Sequence, residues 1–146
     1  MSIRKATIND LDMLANMFDK YRIFYRKPSD VNAAKTFLSE RIERNESEIF
    51  VSIEEDGKYS GFVQLYPLFS STRMKRLWLL NDLFVEKEYR GRGISKALID
   101  RSKQLCKETN ACSLTLETQK SNVIGNNLYP RMGFVLEEEN FYAWNC

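Results

Sequence analysis

Apolar residues along the chain alternate between two periods, and the switches between them mark the elements. Leu11, Leu14, Ala15 and Phe18 recur at helical spacing behind the capping candidates Asn9 and Asp10, predicting a helix that runs to about Arg26 and stops before Pro28. Ser29 or Asp30 then caps a second helix carrying Val31, Ala34, Phe37, Leu38 and Ile42. Before these helices Ile3 to Thr7 reads as a short strand. After them Ile49 to Ile53 and Tyr59 to Tyr66 read as two strands joined by the hairpin signal Asp56-Gly57. Gly61 inside the second marks close packing or a bulge.

Pro67 to Arg76 is rich in serine and reads as a loop. Leu77 to Val85 is an apolar run without helical period, suited to a strand buried on both faces. Asn81 and Asp82 interrupt it, so they flank a bulge or point into a cleft, because an unpartnered carboxylate is too costly to bury. Ile94, Ala97, Leu98, Arg101 and Leu105 restore the helical period to about Thr109, and Ser113 to Thr118 alternates as a strand in which Thr115 and Glu117 share a face. Asn122 opens a last helix through Val123, Leu128 and Tyr129. Gly133 to Leu136 and Phe141 to Trp144 read as closing strands. The predicted order is βααβββαβαββ, in a single domain over residues 1–146.

Composition narrows the function classes. A net charge of +2 without a basic run gives no footprint for nucleic acid. No stretch is long and apolar enough to span a membrane, and Met1 to Lys5 leads into no signal-peptide core. Three cysteines, Cys106, Cys112 and Cys146, form neither a disulfide framework nor a metal pattern, and a reducing cytoplasm is the expected home. The absence of histidine removes His-based triads and His metal ligands. No metal is expected.

Arg90-Gly91-Arg92-Gly93 lies between the central strand and the helix that follows. Such a turn offers unpaired N–H groups and the positive end of a helix dipole, which suits phosphate or serves simply as turn geometry. It is neither a Walker A loop, which ends in Gly-Lys-Ser/Thr, nor a dinucleotide fingerprint, since Lys96 stands at the third glycine.

Leu83-Phe84-Val85 followed by Arg90-Gly91-Arg92-Gly93-Ile94-Ser95 resembles the acetyl-CoA signature of the GNAT N-acetyltransferases, Arg/Gln-x-x-Gly-x-Gly/Ala, with Ser95 at the final small position. Asn122-x-x-Gly125-x-x-Leu128-Tyr129-x-x-Met132-Gly133-Phe134 resembles the second hallmark of that family, Asn-x-x-Ala-x-x-Leu-Tyr-x-x-x-Gly-Phe, with Gly125 in place of alanine. The resemblance covers essentially the whole chain. It implies a mixed α+β fold with a twisted, mostly antiparallel central sheet, splayed parallel strands 4 and 5, and about four helices.

It also implies acetyl-CoA as co-substrate, with Leu83, Phe84 and Val85 along the pantetheine arm, the amides from Gly91 to Lys96 on the pyrophosphate beside Arg90, and Asn122 bonded to the arm. The reaction implied is acetyl transfer to a primary amine by direct attack in a ternary complex, the acceptor being a small molecule or a protein. An alkylamine near pKa ~10 must lose a proton before attack, and Asp82, with Glu117 as alternative, is the candidate base, acting through a water. Tyr129 matches the family's general acid for the leaving thiolate. Tyr21, Arg22 and Tyr25 sit on the expected acceptor wall, joined by Gln64 and Tyr66. Arg22 or Arg26 there would repel a bare polyamine and favour an acceptor bearing a carboxylate or phosphate. A regulatory acyl-CoA-binding module without turnover is the alternative function. Phe141-Tyr142-Ala143-Trp144 is apolar enough to serve as the seam of a homodimer.

Overall fold

The computed structural model describes residues 1–146. Strand β1 (Ser2–Lys5) leads into a capping box in which the Asp10 carboxylate accepts from the Thr7 N–H at 2.7 Å and the Thr7 hydroxyl accepts from the Asn9 N–H at 3.3 Å. A single 3₁₀ turn follows, then helix α1 (Leu11–Phe24) and helix α2 (Val31–Glu43), whose N-cap is Asp30 accepting from Ala33 N–H at 3.0 Å. Strands β2 (Glu48–Ile53), β3 (Tyr59–Ser70) and β4 (Lys75–Val85) form an antiparallel meander. Helix α3 (Ile94–Glu108), strand β5 (Leu114–Thr115) and helix α4 (Val123–Arg131) complete the fold. The sheet order is β1-β2-β3-β4-β5, with only β4 and β5 parallel.

The two sheet faces are covered by different helices. Leu14, Ala15, Phe18, Ala34 and Leu38 of α1 and α2 meet Ile49, Val51, Phe62 and Phe84 on one side. Ile94, Leu98, Ile99 and Leu105 of α3 meet Phe50, Val63, Leu65, Trp78 and Leu80 on the other. Successive strand residues alternate between these cores as the pleat requires. Gly61 is packing-limited, since a Cβ there would lie 2.6 Å from the Phe84 carbonyl oxygen, under Ile94 and Leu98.

Three elements differ from the sequence expectation. Pro67 to Arg76 is a loop only at its centre, because β3 and β4 continue as a ladder out to the pair Ser70 and Lys75. Proline is tolerated there because β2 begins at Glu48 opposite Leu65, so beyond that point β3 is an edge strand with no neighbour on its β2 side. Strand β5 is two residues long rather than six. Gly133 to Leu136 and Phe141 to Trp144 form no ladder at all; Leu136, Phe141, Tyr142 and Trp144 stand in solvent.

Candidate active site

The cleft begins with a register slip. Gln64 faces Asp82 across the β3–β4 ladder while Leu65 faces Leu80, which leaves Asn81 as an extra residue. Leu80 packs toward α3, and so do Leu83 and Val85, a spacing that only a bulge allows. The bulge therefore turns Asp82 to the α1–α2 face, where Phe84 also lies. Tyr21 closes the site from α1, donating its hydroxyl to the carbonyl of Asn81 at 3.2 Å.

Asp82 is 3 % exposed. Its Oδ2 accepts from the Gln64 side-chain amide at 2.8 Å and its Oδ1 from Asn81 at 3.1 Å. Burial raises its pKa above the ordinary carboxylate value, against the pull of the donors Gln64, Tyr21 and Asn81. The Gln64 amide is itself oriented, because Ser47 donates to its Oε1 at 2.9 Å. Gln64 is fully buried, so it stands behind Asp82 rather than facing an acceptor. Ser47 carried no signal in the sequence, since it lies 17 positions from the residue it orients and looks like any loop serine.

Tyrosines line this part of the cleft, with Tyr21 and Tyr66 within reach of the Asp82 charge. The Tyr21 and Tyr25 rings meet edge to face at 4.9 Å. Burial first, then the charge of Asp82, pushes the phenols of Tyr21 and Tyr66 up. Tyr129, half-buried on α4 with its ring edge-on to Phe134 at 5.9 Å, is also pushed up by burial and by Tyr25. Glu117 is exposed beyond the end of β5, with no strand to aim it. Arg22 donates to the Pro28 carbonyl at 3.1 Å, where it fastens the end of α1.

Strands β4 and β5 pair only at Trp78 with Leu114 and Leu79 with Thr115, and then part. Glu86 N–H donates back to Ser60 on the β3 side at 2.9 Å. By alternation, the peptide groups of Leu83 and Val85 face the gap that β5 has left, while the Phe84 side chain is buried in the α1–α2 core. The Val85 carbonyl accepts from Arg90 Nε at 3.0 Å, which ties the glycine turn to the strand. Gly91 and Gly93 both have left-handed φ, 78° and 82°. They bring the chain into α3 with no side-chain cap, so the amides of Ile94, Ser95 and Lys96 lie in a first turn that has no acceptor of its own. The Ile94 side chain is buried; Arg92, stacked over Tyr89 at 5.2 Å, and Lys96 remain outside.

On the other wall Asn122 caps α4, accepting from Gly125 N–H at 3.1 Å and donating to Thr118 at 2.8 Å. The glycine at position 125 has a steric cause: a Cβ would lie 2.6 Å from Asn122 Nδ2 and 3.1 Å from the Tyr129 ring. Pro130 is accommodated within the last turn of α4, and Tyr129 keeps its helical place. No group of three or more cysteines and carboxylates converges as a metal site.

A bulged β4 that parts from a parallel β5, a glycine turn feeding α3, and a tyrosine on the helix after β5 together define an acyltransferase architecture. The chain belongs to the acetyltransferase (GNAT) family, whose model matches residues 11–134. It is 40% identical over 146 residues to the uncharacterized N-acetyltransferase YhfO of Bacillus subtilis, covering 100% of this chain and 96% of that one. It is 31% identical to a probable acetyltransferase of Haemophilus influenzae, over 97% of this chain and 90% of the relative. The crystal structure of a probable acetyltransferase superposes with a TM-score of 0.92 at 36% identity, covering 100% of this chain and 97% of that one.

Proposed function

We propose that residues 1–146 form one catalytic domain that transfers the acetyl group of acetyl-CoA to a primary amine of a small molecule or protein. The observation that carries this reading is Asp82, a buried carboxylate held at the bulge where β4 and β5 part, with the Tyr21 and Tyr66 phenols within reach of its charge. Acetyl-CoA would lie in that gap, its arm along the peptide groups of Leu83 and Val85 and its pyrophosphate on the amides from Gly91 to Lys96, with Arg90 alongside. Asn122 would fix the arm from the α4 side.

The amine nitrogen attacks the thioester carbonyl, whose oxygen draws a hydrogen bond from a peptide N–H near Leu83. Asp82, through a water, takes the proton the amine loses. The C–S bond then breaks, and Tyr129 gives its proton to the departing thiolate. Tyr21, Tyr25 and Tyr66 shape the acceptor side, and no metal takes part. Glu117, exposed and unaimed, is the weaker candidate for base. A cytoplasmic location and a homodimer formed through the C-terminal segment complete the proposal; no helix is long and apolar enough to cross a membrane.

The test follows acetyl-CoA consumption and thiol release over a panel of amines, with Tyr129→Phe and Asp82→Asn beside the unaltered chain. Both variants should lose about 10²–10⁴-fold in kcat while keeping acetyl-CoA affinity. Tight binding of acetyl-CoA with no turnover of any amine would instead support a regulatory acyl-CoA binder, and failure to bind it would refute the reading of the glycine turn.

A further inference from the structure

We propose that the amine acceptor carries an anionic group, a carboxylate or a phosphate, held between Arg26 and Lys120 at the mouth of the cleft. The inference deepens the acetyltransfer reading and rests on it. Its basis is an open groove of about 530 Å³ between the end of α1 and the connection from β5 to α4, lined by Phe24, Tyr25, Arg26, Gln119, Lys120 and Ser121. Two of these side chains are cationic and none is acidic.

Both cations are unspent. Neither Arg26 nor Lys120 enters any of the nine ion pairs of the chain, a freedom they share with most of its 22 lysines and arginines, but they are the two that face one another across this groove. Nor is their backbone loose. Arg26 has a left-handed φ of 62°, at a helix end where glycine or asparagine is the usual choice. Its N–H donates to the Ile23 carbonyl at 2.9 Å, and the next N–H, of Lys27, donates to Arg22 at 3.0 Å. Across the groove, Asn126 Nδ2 donates to the carbonyls of Gln119 at 3.0 Å and Lys120 at 3.3 Å. Both walls are thus fixed by hydrogen bonds while both charges are left free for a ligand.

The groove leads to the chemistry through Tyr25. That ring lines the groove, touches Tyr21 at 4.9 Å and is close enough to Tyr129 to raise its pKa. A bound amine therefore meets cations outside and the Asp82 carboxylate inside. A molecule with an ammonium at one end and an anion at the other satisfies both in a single orientation, which delivers the amine to the base. A polyamine would set a second ammonium against Arg26 and Lys120, where like charges repel. Phe24 and Tyr25 supply an apolar wall for the body of the molecule.

The experiment compares kcat/KM within matched pairs: phenylalanine against 2-phenylethylamine for the carboxylate, and O-phosphoethanolamine against ethanolamine for the phosphate, with spermidine as the polycation. The anionic member of at least one pair should lead by tenfold or more, chiefly through KM. Arg26→Ala and Lys120→Ala should each erode that lead, and Arg26→Glu/Lys120→Glu should turn preference toward spermidine. Calorimetric titration with 3-phenylpropionate and with inorganic phosphate, which lack the amine, reads the site without turnover. Equal kcat/KM within both pairs, or a lead that the double variant leaves intact, overturns the proposal, as does equal binding of the anions to both proteins. Anion binding that depends on Arg26 and Lys120, with no amine ever acetylated, would refute the acetyltransfer reading and keep the anion site.

Discussion

The side-chain amide of Gln64 donates to Asp82 Oδ2 at 2.8 Å across adjacent strands, a sense the acceptor-only carboxylate requires and Ser47 supports by donating to the amide carbonyl. The positive end of a locked amide dipole thus faces the carboxylate and favours its ionised form, opposing the upward push of burial. Tyr21 from α1 and Tyr66 from β3 are the ionisable side chains its charge reaches, and burial together with that charge pushes both phenols up. Gln64→Leu should move the acid limb of kcat/KM to higher pH, and Ser47→Ala should move it the same way by less. At the acid end the loss for Gln64→Leu should be about tenfold, equivalent to ~1.4 kcal/mol of hydrogen bonding to a charged group. A uniform fall in activity with the limb unmoved would reduce Gln64 to a packing role.

The same burial sets activity against stability. A carboxyl whose pKa is higher folded than unfolded binds its proton more tightly in the native state. Folding is therefore weakened as pH rises from the unfolded value through the folded one, and ionised Asp82 opposes folding at neutral pH. Asp82→Asn should raise the melting temperature at pH 7 while it lowers turnover, each kcal/mol gained reading as about 2–4 °C in a chain of this size. The gain should shrink as pH falls toward the unfolded value, ~3.9, and vanish below it, where the unaltered side chain is protonated in both states. A variant that melts lower at pH 7 contradicts this account.

What the sequence made legible was local. The glycine turn, the start of α3, the interruption at Asn81 and the tight position at Gly61 all declare themselves in residue types that few other geometries use. The direction in which Asp82 points was not legible, because it depends on the sense in which one extra residue turns the strand between two cores. Gln64 was expected to face the acceptor alongside Tyr66, yet it is fully buried and bonded to Ser47, a residue far away in the chain. The extension of β3 past Pro67 depends on where β2 begins, which proline chemistry alone does not reveal. The two missing C-terminal strands had adequate composition; strand composition does not say which sheet, or which copy's sheet, will pair with them.

Gly61 offers a direct test of packing at the cleft. It pairs with Val85 beneath the first turn of α3, and a Cβ would meet a backbone oxygen that no rotamer can move aside. Gly61→Ala should destabilise the fold by about 1–3 kcal/mol through overpacking, and should weaken acetyl-CoA binding by displacing the glycine turn. Thermal melting and equilibrium binding report the two effects separately. Unchanged values in both would mean that the strands yield more readily than their ladder implies.

Acid stability should depend on Asp10. Its buried carboxylate takes two bonds from Arg4 at 2.7 and 2.9 Å, one from the Tyr59 hydroxyl and one from Thr7 N–H. These hold its pKa well below the carboxylate range, with the Arg4 hydrogen bonds foremost. A depressed folded pKa contributes stability that is complete above the unfolded value, ~3.9, and is lost as pH falls through the folded one. Asp10→Asn should therefore destabilise by about 2 kcal/mol at pH 7, less than for a wholly buried pair because Arg4 is half exposed. Denaturant midpoints for the two proteins should converge only in strong acid, and convergence already at pH 5 would exclude Asp10 as the cause.

The C-terminal segment leaves most of its large apolar side chains uncovered. Val135 is 80% exposed, Leu136 92%, Phe141 79%, Tyr142 86% and Trp144 87%, while β5, the last strand of the sheet, has a free edge. A monomer gains nothing from three aromatics held in water, and an open sheet edge together with an unpaired apolar segment invites strand addition. Reciprocal pairing of two copies would bury three aromatics from each, at about 150–250 Å² apiece, or ~900–1,500 Å² before the aliphatic residues are added. That reaches the ~1,200–2,000 Å² of stable interfaces. Light scattering on the eluting peak should give twice the 17.2 kDa of one chain, and Phe141→Ser with Trp144→Ser should return the single-chain mass. A single-chain mass for the unaltered protein at micromolar concentration would rule the dimer out and leave the segment to fold back on its own sheet edge.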